Sequence, residues 1–299
     1  MDPFALRFGQ VRAKHGPLVF GMDPSGRLLE EWGLGDSPDG LERFVDIVVE
    51  AAAGSVGLVK PQSAFYERHG WRGVRSLARL VEDCQQAGLL VIVDAKRGDV
   101  GSTNAAYAEA YLGEGAPIAA DALTLTAYLG LGAMGDYFSR ASAAGAGLFV
   151  VVRSSNPEGR GLQTAVGAGG RTVEQQLISD LAELNAKELA DSRSGGGPAS
   201  GVRADGDAGA GVGPFGAVFA PTHEPPEGFD LHGMHGLFLA PGIGAQGATP
   251  ADVARCFGAC PDRVLPAASR SLLVAGPDPA HLSAHVATFA AEVSAALGK

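Results

Sequence analysis

Residues 89–96 read LLVIVDAK, an unbroken apolar and β-branched run that stops abruptly at an acid and a base. The run does not alternate between apolar and polar residues. That pattern marks a strand covered on both faces, as in a parallel sheet, rather than one with a wet side. Runs of the same kind recur as PLVFGMD (17–23), VGLVKPQ (56–62), AADALTL (119–125), GLFVVVR (147–153), FGAVFAP (215–221), GLFLAP (236–241) and RVLPAAS (263–269). Most are separated by enough chain for a helix. Residues 39–53 carry Leu41, Phe44, Val45, Val48 and Val49 at helical spacing, with Asp39 as the candidate cap. Residues 72–87, 102–113, 171–190 and 278–297 read as helices too, as do 249–258 behind Thr249-Pro250. The segment 223–235, HEPPEGFDLHGMH, has poor helical character and is the weakest link in the series.

Repeated strand–helix units favour a closed (β/α)8 TIM barrel, an α/β fold, over an open doubly wound sheet. The expected organisation is a single barrel domain over 1–299, interrupted at about 192–214 by SRSGGGPASGVRADGDAGAGVGP. That glycine-rich stretch cannot bury a core and reads as a mobile insertion ahead of the sixth strand. A length of 299 residues, 46% apolar and 19% charged, suits one enzyme-sized core. A net charge of -10 provides no general attraction for nucleic acid or an anionic membrane. Cys84, Cys256 and Cys260 lack a CxxC spacing, which fits a reducing compartment. The opening MDPFALRFGQVRAKHG has no apolar signal core, and no run of about 18 apolar residues follows. A cytoplasmic protein without membrane or nucleic-acid partners is expected.

In a closed barrel the chemistry gathers at the C-terminal ends of the strands. Here those ends carry Asp23, Lys60, Asp94 with Lys96 and Asp99, Arg153-Ser154-Ser155, and Ser269-Arg270. Asp94 and Lys96 are two apart and so share a face of an extended strand, while Asp99 follows where the loop enters the next helix. With Lys60 from the neighbouring strand, acid and base alternate. Such alternation keeps both lysines protonated and both aspartates ionised, which suits a lysine that donates a proton rather than one that forms a Schiff base. A purely structural ion-pair network at the barrel mouth is the competing reading. PGIGAQG (241–247) ahead of a helix start, together with Arg270, has the makings of a phosphate site. His281 and His285 lack a third ligand and read as a solvated pair. His232 and His235, and the Cys256/Cys260 pair, are likewise poor candidates for a metal.

DAKRGDVGST (94–103) resembles the Asp-x-Lys-x-x-Asp signature of the orotidine 5'-phosphate decarboxylases, in particular their longer bacterial, type 2 subfamily. GMDPS (21–25), VKPQSAFYE (59–67), DALTLTAYLG (121–130), SSNPEG (154–159), PGIGAQG (241–247) and SR (269–270) extend the likeness along most of the chain. Strand six ends in VFAPTHEPP (218–226), without the glycine the family pattern leads one to expect there. The resemblance implies a carboxy-lyase acting on a nucleoside monophosphate without cofactor or metal. Lys96 would protonate C6 of the pyrimidine, Asp94 would face the departing carboxylate, and Lys60 would bridge the ribose and Asp94. Asp23 would hold the ribose hydroxyls, Ser155 the pyrimidine edge, and Gln246 and Arg270 the phosphate, with Pro241 and Ser269 beside them. Asp99 and Thr103 would reach into a partner's site, which implies a homodimer with shared active sites. Related sugar-phosphate lyases and aldolases carry an acid where this chain has Lys60, and they use magnesium. That class, and a binding protein without turnover, are the alternatives.

Overall fold

The computed structural model describes residues 1–194, 211–222 and 229–298. The eight apolar runs form eight parallel strands: β1 (Val19–Gly21), β2 (Leu58–Lys60), β3 (Leu90–Arg97), β4 (Ala122–Leu125), β5 (Gly147–Arg153), β6 (Phe215–Phe219), β7 (Phe238–Ala240) and β8 (Val264–Ala268). They pair in sequence order, and β8 returns to β1 to close the TIM barrel, with Phe20 opposite Ala268. The absence of alternation has a direct cause. On β3, Leu90 and Ile92 face the barrel interior, while Val91 and Val93 face the helices, so both faces are buried.

The helices that cover the strands are α1 (Phe4–His15), α2 (Pro38–Ala52), α3 (Gly70–Gln86), α4 (Gly101–Tyr111), α5 (Gly135–Ala144), α6 (Val173–Ser194), α7 (Pro250–Cys256) and α8 (Pro279–Ala296). Helix α2 buries Leu41, Phe44, Val45 and Val48, as its spacing requires. Its cap is Ser37, whose hydroxyl accepts the Gly40 N–H at 3.1 Å; Asp39 lies in the first turn instead, where its charge suits the helix dipole. Helix α1 was not foreseen. Its Phe4, Ala5 and Phe8 plug the lower mouth of the barrel, with the Phe4 ring edge-on to Phe149 at 5.9 Å. Helix α5, with Tyr137, Phe138 and Ala141 buried, was also not foreseen.

The described chain reaches into both ends of the expected 192–214 insertion. Helix α6 continues to Ser194, while Val212 is buried and the Gly213 N–H bonds the His235 carbonyl at 2.7 Å. These residues belong to the barrel because they lead straight into β6. Residues 195–210, the body of the glycine-rich stretch, and 223–228 of the link after β6 lie outside the described residues. Between β6 and β7 the described chain holds only a short 3-10 turn, His232–Met234. Among the described residues, no helix is long and apolar enough to cross a membrane.

Candidate active site

The upper mouth of the barrel opens into a cavity of about 540 Å³, within the range of small-molecule sites. Asp23, Lys60, Asp94 and Lys96 form one wall, and Ser155, Pro241, Gln246, Ser269 and Arg270 form the other. The first wall is built by strand register. β1 and β2 pair Gly21 with Lys60, and beyond them Gln62 bridges to Asp94. The Lys60 ammonium lies 3.1 Å from Asp94 Oδ2 and 3.9 Å from Asp23 Oδ1. Lys96 Nζ donates to Asp94 Oδ1 at 2.7 Å and to Gln62 Oε1 at 3.2 Å. Asp23 is itself fixed, because its Oδ1 accepts the Gln62 backbone N–H at 3.1 Å.

Asp94 and Lys60 are both buried, whereas the Lys96 side chain keeps 45% of its surface exposed to the cavity. Burial pushes the Asp94 carboxyl up, but Lys60 and Lys96, with hydrogen bonds from Lys96 and Thr124, outweigh it and hold the group at about 2. Burial pushes the Lys60 ammonium down, and the charges of Asp23 and Asp94 outweigh that in turn, leaving it raised. Asp94 is therefore a fixed anion and Lys60 a fixed cation at neutral pH. The chain of charges ends on Lys96, the most exposed of its members at the cavity wall.

The second wall is more open. Gly242, Gly244 and Gly247 take positive φ values of 97°, 77° and 92°, which lets PGIGAQG fold tightly over the mouth. Gln246 and Arg270 are exposed at its rim. The helix start expected behind this loop is not open to an anion. Thr249 and Asp252 close a reciprocal capping box on α7, with the Asp252 carboxylate accepting the Thr249 N–H at 2.8 Å. A phosphate here would rely on the loop, Gln246 and Arg270.

Two expectations need correction. Asp99 does not complete the alternation within this chain. Its backbone N–H is held by Asn104 Oδ1 at 2.8 Å and its carboxylate turns back onto the Val100 N–H at 2.8 Å, outside the cavity. Thr103 stands exposed on the first turn of α4 and does not line the cavity either, a position that leaves its implied reach toward a partner's site uncontradicted. Arg153 is not a rim charge: it is buried in a two-pronged pair with Glu174, at 2.8 and 2.6 Å, and stacks on Phe219. The cause is the register shift between Val151 and Arg153: Phe149 and Val151 face the barrel interior, and the shift sets Arg153 beside Phe219 and turns it outward under α6.

Strand β3 also departs from simple extension. Arg97 pairs with Leu125 and Val93 with Leu123, so three residues of β3 stand opposite the single residue Thr124 of β4. Within this bulge Lys96 takes φ 46°, an uncommon conformation for a non-glycine residue. Gln62 and Thr124 are the site residues that the sequence reading missed. Among the described residues, no group of three or more histidine, cysteine or carboxylate side chains is placed to hold a metal ion. His285 instead contacts the Ser271 carbonyl at 3.0 Å.

Comparison with known proteins agrees with this geometry. The family model for orotidine 5'-phosphate decarboxylase / HUMPS matches residues 16–282. An orotidine 5'-phosphate decarboxylase of Streptomyces coelicolor is 46% identical over 297 residues, covering 99% of each chain. One from Myxococcus xanthus is 45% identical over 282 residues, covering 94% of this chain and 91% of its own. A crystal structure from Streptomyces avermitilis, described as an orotidine 5'-phosphate decarboxylase, superposes with a TM-score of 0.88 at 43% identity, covering 100% of this chain and 97% of that one. A closed eight-stranded barrel, a lysine–aspartate–lysine chain at its mouth and full-length likeness to these proteins place the chain in the orotidine 5'-phosphate decarboxylase family.

Proposed function

We infer that the chain carries out the reaction for which its family is named, converting orotidine 5'-monophosphate to uridine 5'-monophosphate in pyrimidine nucleotide synthesis, and that Lys96 supplies the proton. The observation that carries this reading is the chain Lys60–Asp94–Lys96, linked at 3.1 and 2.7 Å at the cavity wall. The bond between C6 and the carboxylate breaks with its electron pair left on C6, and carbon dioxide departs. That pair has little delocalisation, so fixed charge in a preorganised site must stabilise it. Asp94, ionised with its carboxyl at about 2, cannot be the acid. Its charge faces the substrate carboxylate and keeps the Lys96 ammonium oriented, and Lys96 then transfers its proton to C6.

Lys60 neutralises Asp94 and reaches the ribose, whose hydroxyls Asp23 accepts. Ser155 meets the pyrimidine edge. Gln246 and Arg270, with the turn at Pro241 and Ser269, take the phosphate. Binding energy from that remote phosphate holds the reacting ring against the charged wall. No cofactor or metal takes part. Asp99 and Thr103 do not line their own cavity, which leaves them available to a second copy and supports a homodimer with shared sites; the setting is the cytoplasm.

The test follows loss of orotidine 5'-monophosphate absorbance in the presence of a chelator, for the native chain and for Lys96→Ala. Rapid native turnover, with a nearly inactive variant that still binds uridine 5'-monophosphate, supports the reading. Activity that appears only on adding magnesium, or a Lys96→Ala variant with native turnover, overturns it.

A further inference from the structure

Thr124 is fully buried on β4, does not line the cavity, and stands alone opposite the three-residue bulge Asp94–Ala95–Lys96. Its hydroxyl oxygen accepts the Lys96 backbone N–H at 2.9 Å, and its single proton is donated to Asp94 Oδ1 at 2.8 Å. The same Oδ1 accepts from the Lys96 ammonium at 2.7 Å. A closed ring results: Lys96 N–H to Thr124 Oγ1, Thr124 O–H to Asp94 Oδ1, and Lys96 Nζ back to Asp94 Oδ1. The main chain and the side-chain tip of Lys96 are thus tied to one carboxylate oxygen through one hydroxyl.

We propose that Thr124 is a positioning residue for proton delivery, holding Lys96 in its left-handed backbone conformation and so fixing where its ammonium points. The proposal rests on the reading of Lys96 as proton donor. A backbone conformation uncommon for a side-chain-bearing residue persists only where the surroundings over-determine it. Thr124 is the polar side chain that meets the Lys96 N–H. A hydroxyl suits the place because it accepts and donates at once; a carboxylate would only accept, and a methyl does neither. The hydroxyl's direction is also settled, since the incoming N–H takes a lone pair and the proton is left for Asp94.

The experiment compares Thr124→Val, which keeps the shape and removes the hydroxyl, with Thr124→Ser, which keeps the hydroxyl. A displaced donor costs about 10- to 100-fold in kcat for Thr124→Val. Because Thr124 does not touch the cavity, KM and the affinity for uridine 5'-monophosphate stay within about 3-fold, and Thr124→Ser recovers kcat to within about 3-fold of native. If Thr124→Val fails to fold, Thr124→Ala replaces it with the same expected split. Native kcat in the hydroxyl-free variant overturns the proposal, as does a Thr124→Ser enzyme as slow as Thr124→Val, or a loss that falls on KM and nucleotide affinity. Lys96→Ala, assayed beside them, separates the two readings. If it is inactive while Thr124→Val is native-like, only the positioning role falls. If it turns over normally, the proton-donor reading falls and the positioning role falls with it.

Discussion

Replacing Asp94 with asparagine tests the charge arrangement without changing its shape. Lys60 is buried, with Asp94 at 3.1 Å and Asp23 at 3.9 Å. At an effective dielectric near 20, a unit pair at that closer distance attracts by about 5 kcal/mol, against which stands the cost of burying both ions. Asp94→Asn removes the nearer anion and leaves the cation in place. Asp23 remains, and an amide oxygen can still accept a hydrogen bond, so the expected loss is about 3 kcal/mol, the lower end for a broken buried pair. The double variant Asp94→Asn/Lys60→Met removes the stranded cation as well and should recover at least about 1 kcal/mol of that loss, since the uncompensated buried charge is gone. Urea denaturation at pH 7, followed by circular dichroism, measures both. A single variant as stable as the native chain, or a double variant no more stable than the single, refutes the argument that an uncompensated charge sets the cost.

The pH dependence of stability follows from the same carboxylate. Its folded value of about 2 lies below the unfolded value near 4, so it contributes roughly 2 kcal/mol that is present above the unfolded value and is lost as pH falls from there toward 2. The stability difference between the native chain and Asp94→Asn should shrink across that window, in denaturation series at successive pH values; a constant difference contradicts it. Glu174→Gln takes the charge from the buried pair with Arg153 and should cost about 3 kcal/mol in urea, where a loss under about 1 kcal/mol would mark the pair as dispensable. Burial pushes the thiols of Cys84 and Cys260 up to about 12, so a disulfide reagent at pH 8 should modify the half-buried Cys256 first and the other two only after unfolding.

The strands were legible because burial on both faces keeps them mostly apolar up to their C-terminal ends, a signal that survives even in the three-residue β2 and β7. Helix α2 was legible for the complementary reason, its apolar residues falling on one stripe. Helix α5 was not, although Tyr137, Phe138 and Ala141 mark its buried side: it is only ten residues long and has no side-chain cap to announce its start. Helix α1 had a usable signal in the spacing of Phe4 and Phe8, but nothing local says that such a stripe plugs a barrel. At the site, charge made Asp23, Lys60, Asp94 and Lys96 visible. Arg153 shows the weakness of that signal, because a shift in strand pairing just before it decides whether the charge points into the mouth or under a helix. Gln62 and Thr124 are neutral, and they matter only through pairings that no local pattern encodes. Asp99 and Thr103 stand outside the cavity of their own chain.

The order of the residues along the chain has a consequence for biosynthesis. Asp23, Lys60, Asp94 and Lys96 are translated early, while the turn at 241–247 and Arg270 come near the end, and the two groups meet only across the seam where β8 pairs with β1. At that seam Gly21 approaches Ser269 so closely that an added Cβ would stand 2.6 Å from the serine Cβ. On the proposed assignment, a nascent chain carries its charged wall and its ribose contacts long before it owns the phosphate grip. If the proposed site holds the product nucleotide, all of its contacts exist only once the last strand has docked, so the nucleotide favours the finished barrel over its precursors. Added to a refolding reaction, uridine 5'-monophosphate becomes a reporter of ring closure.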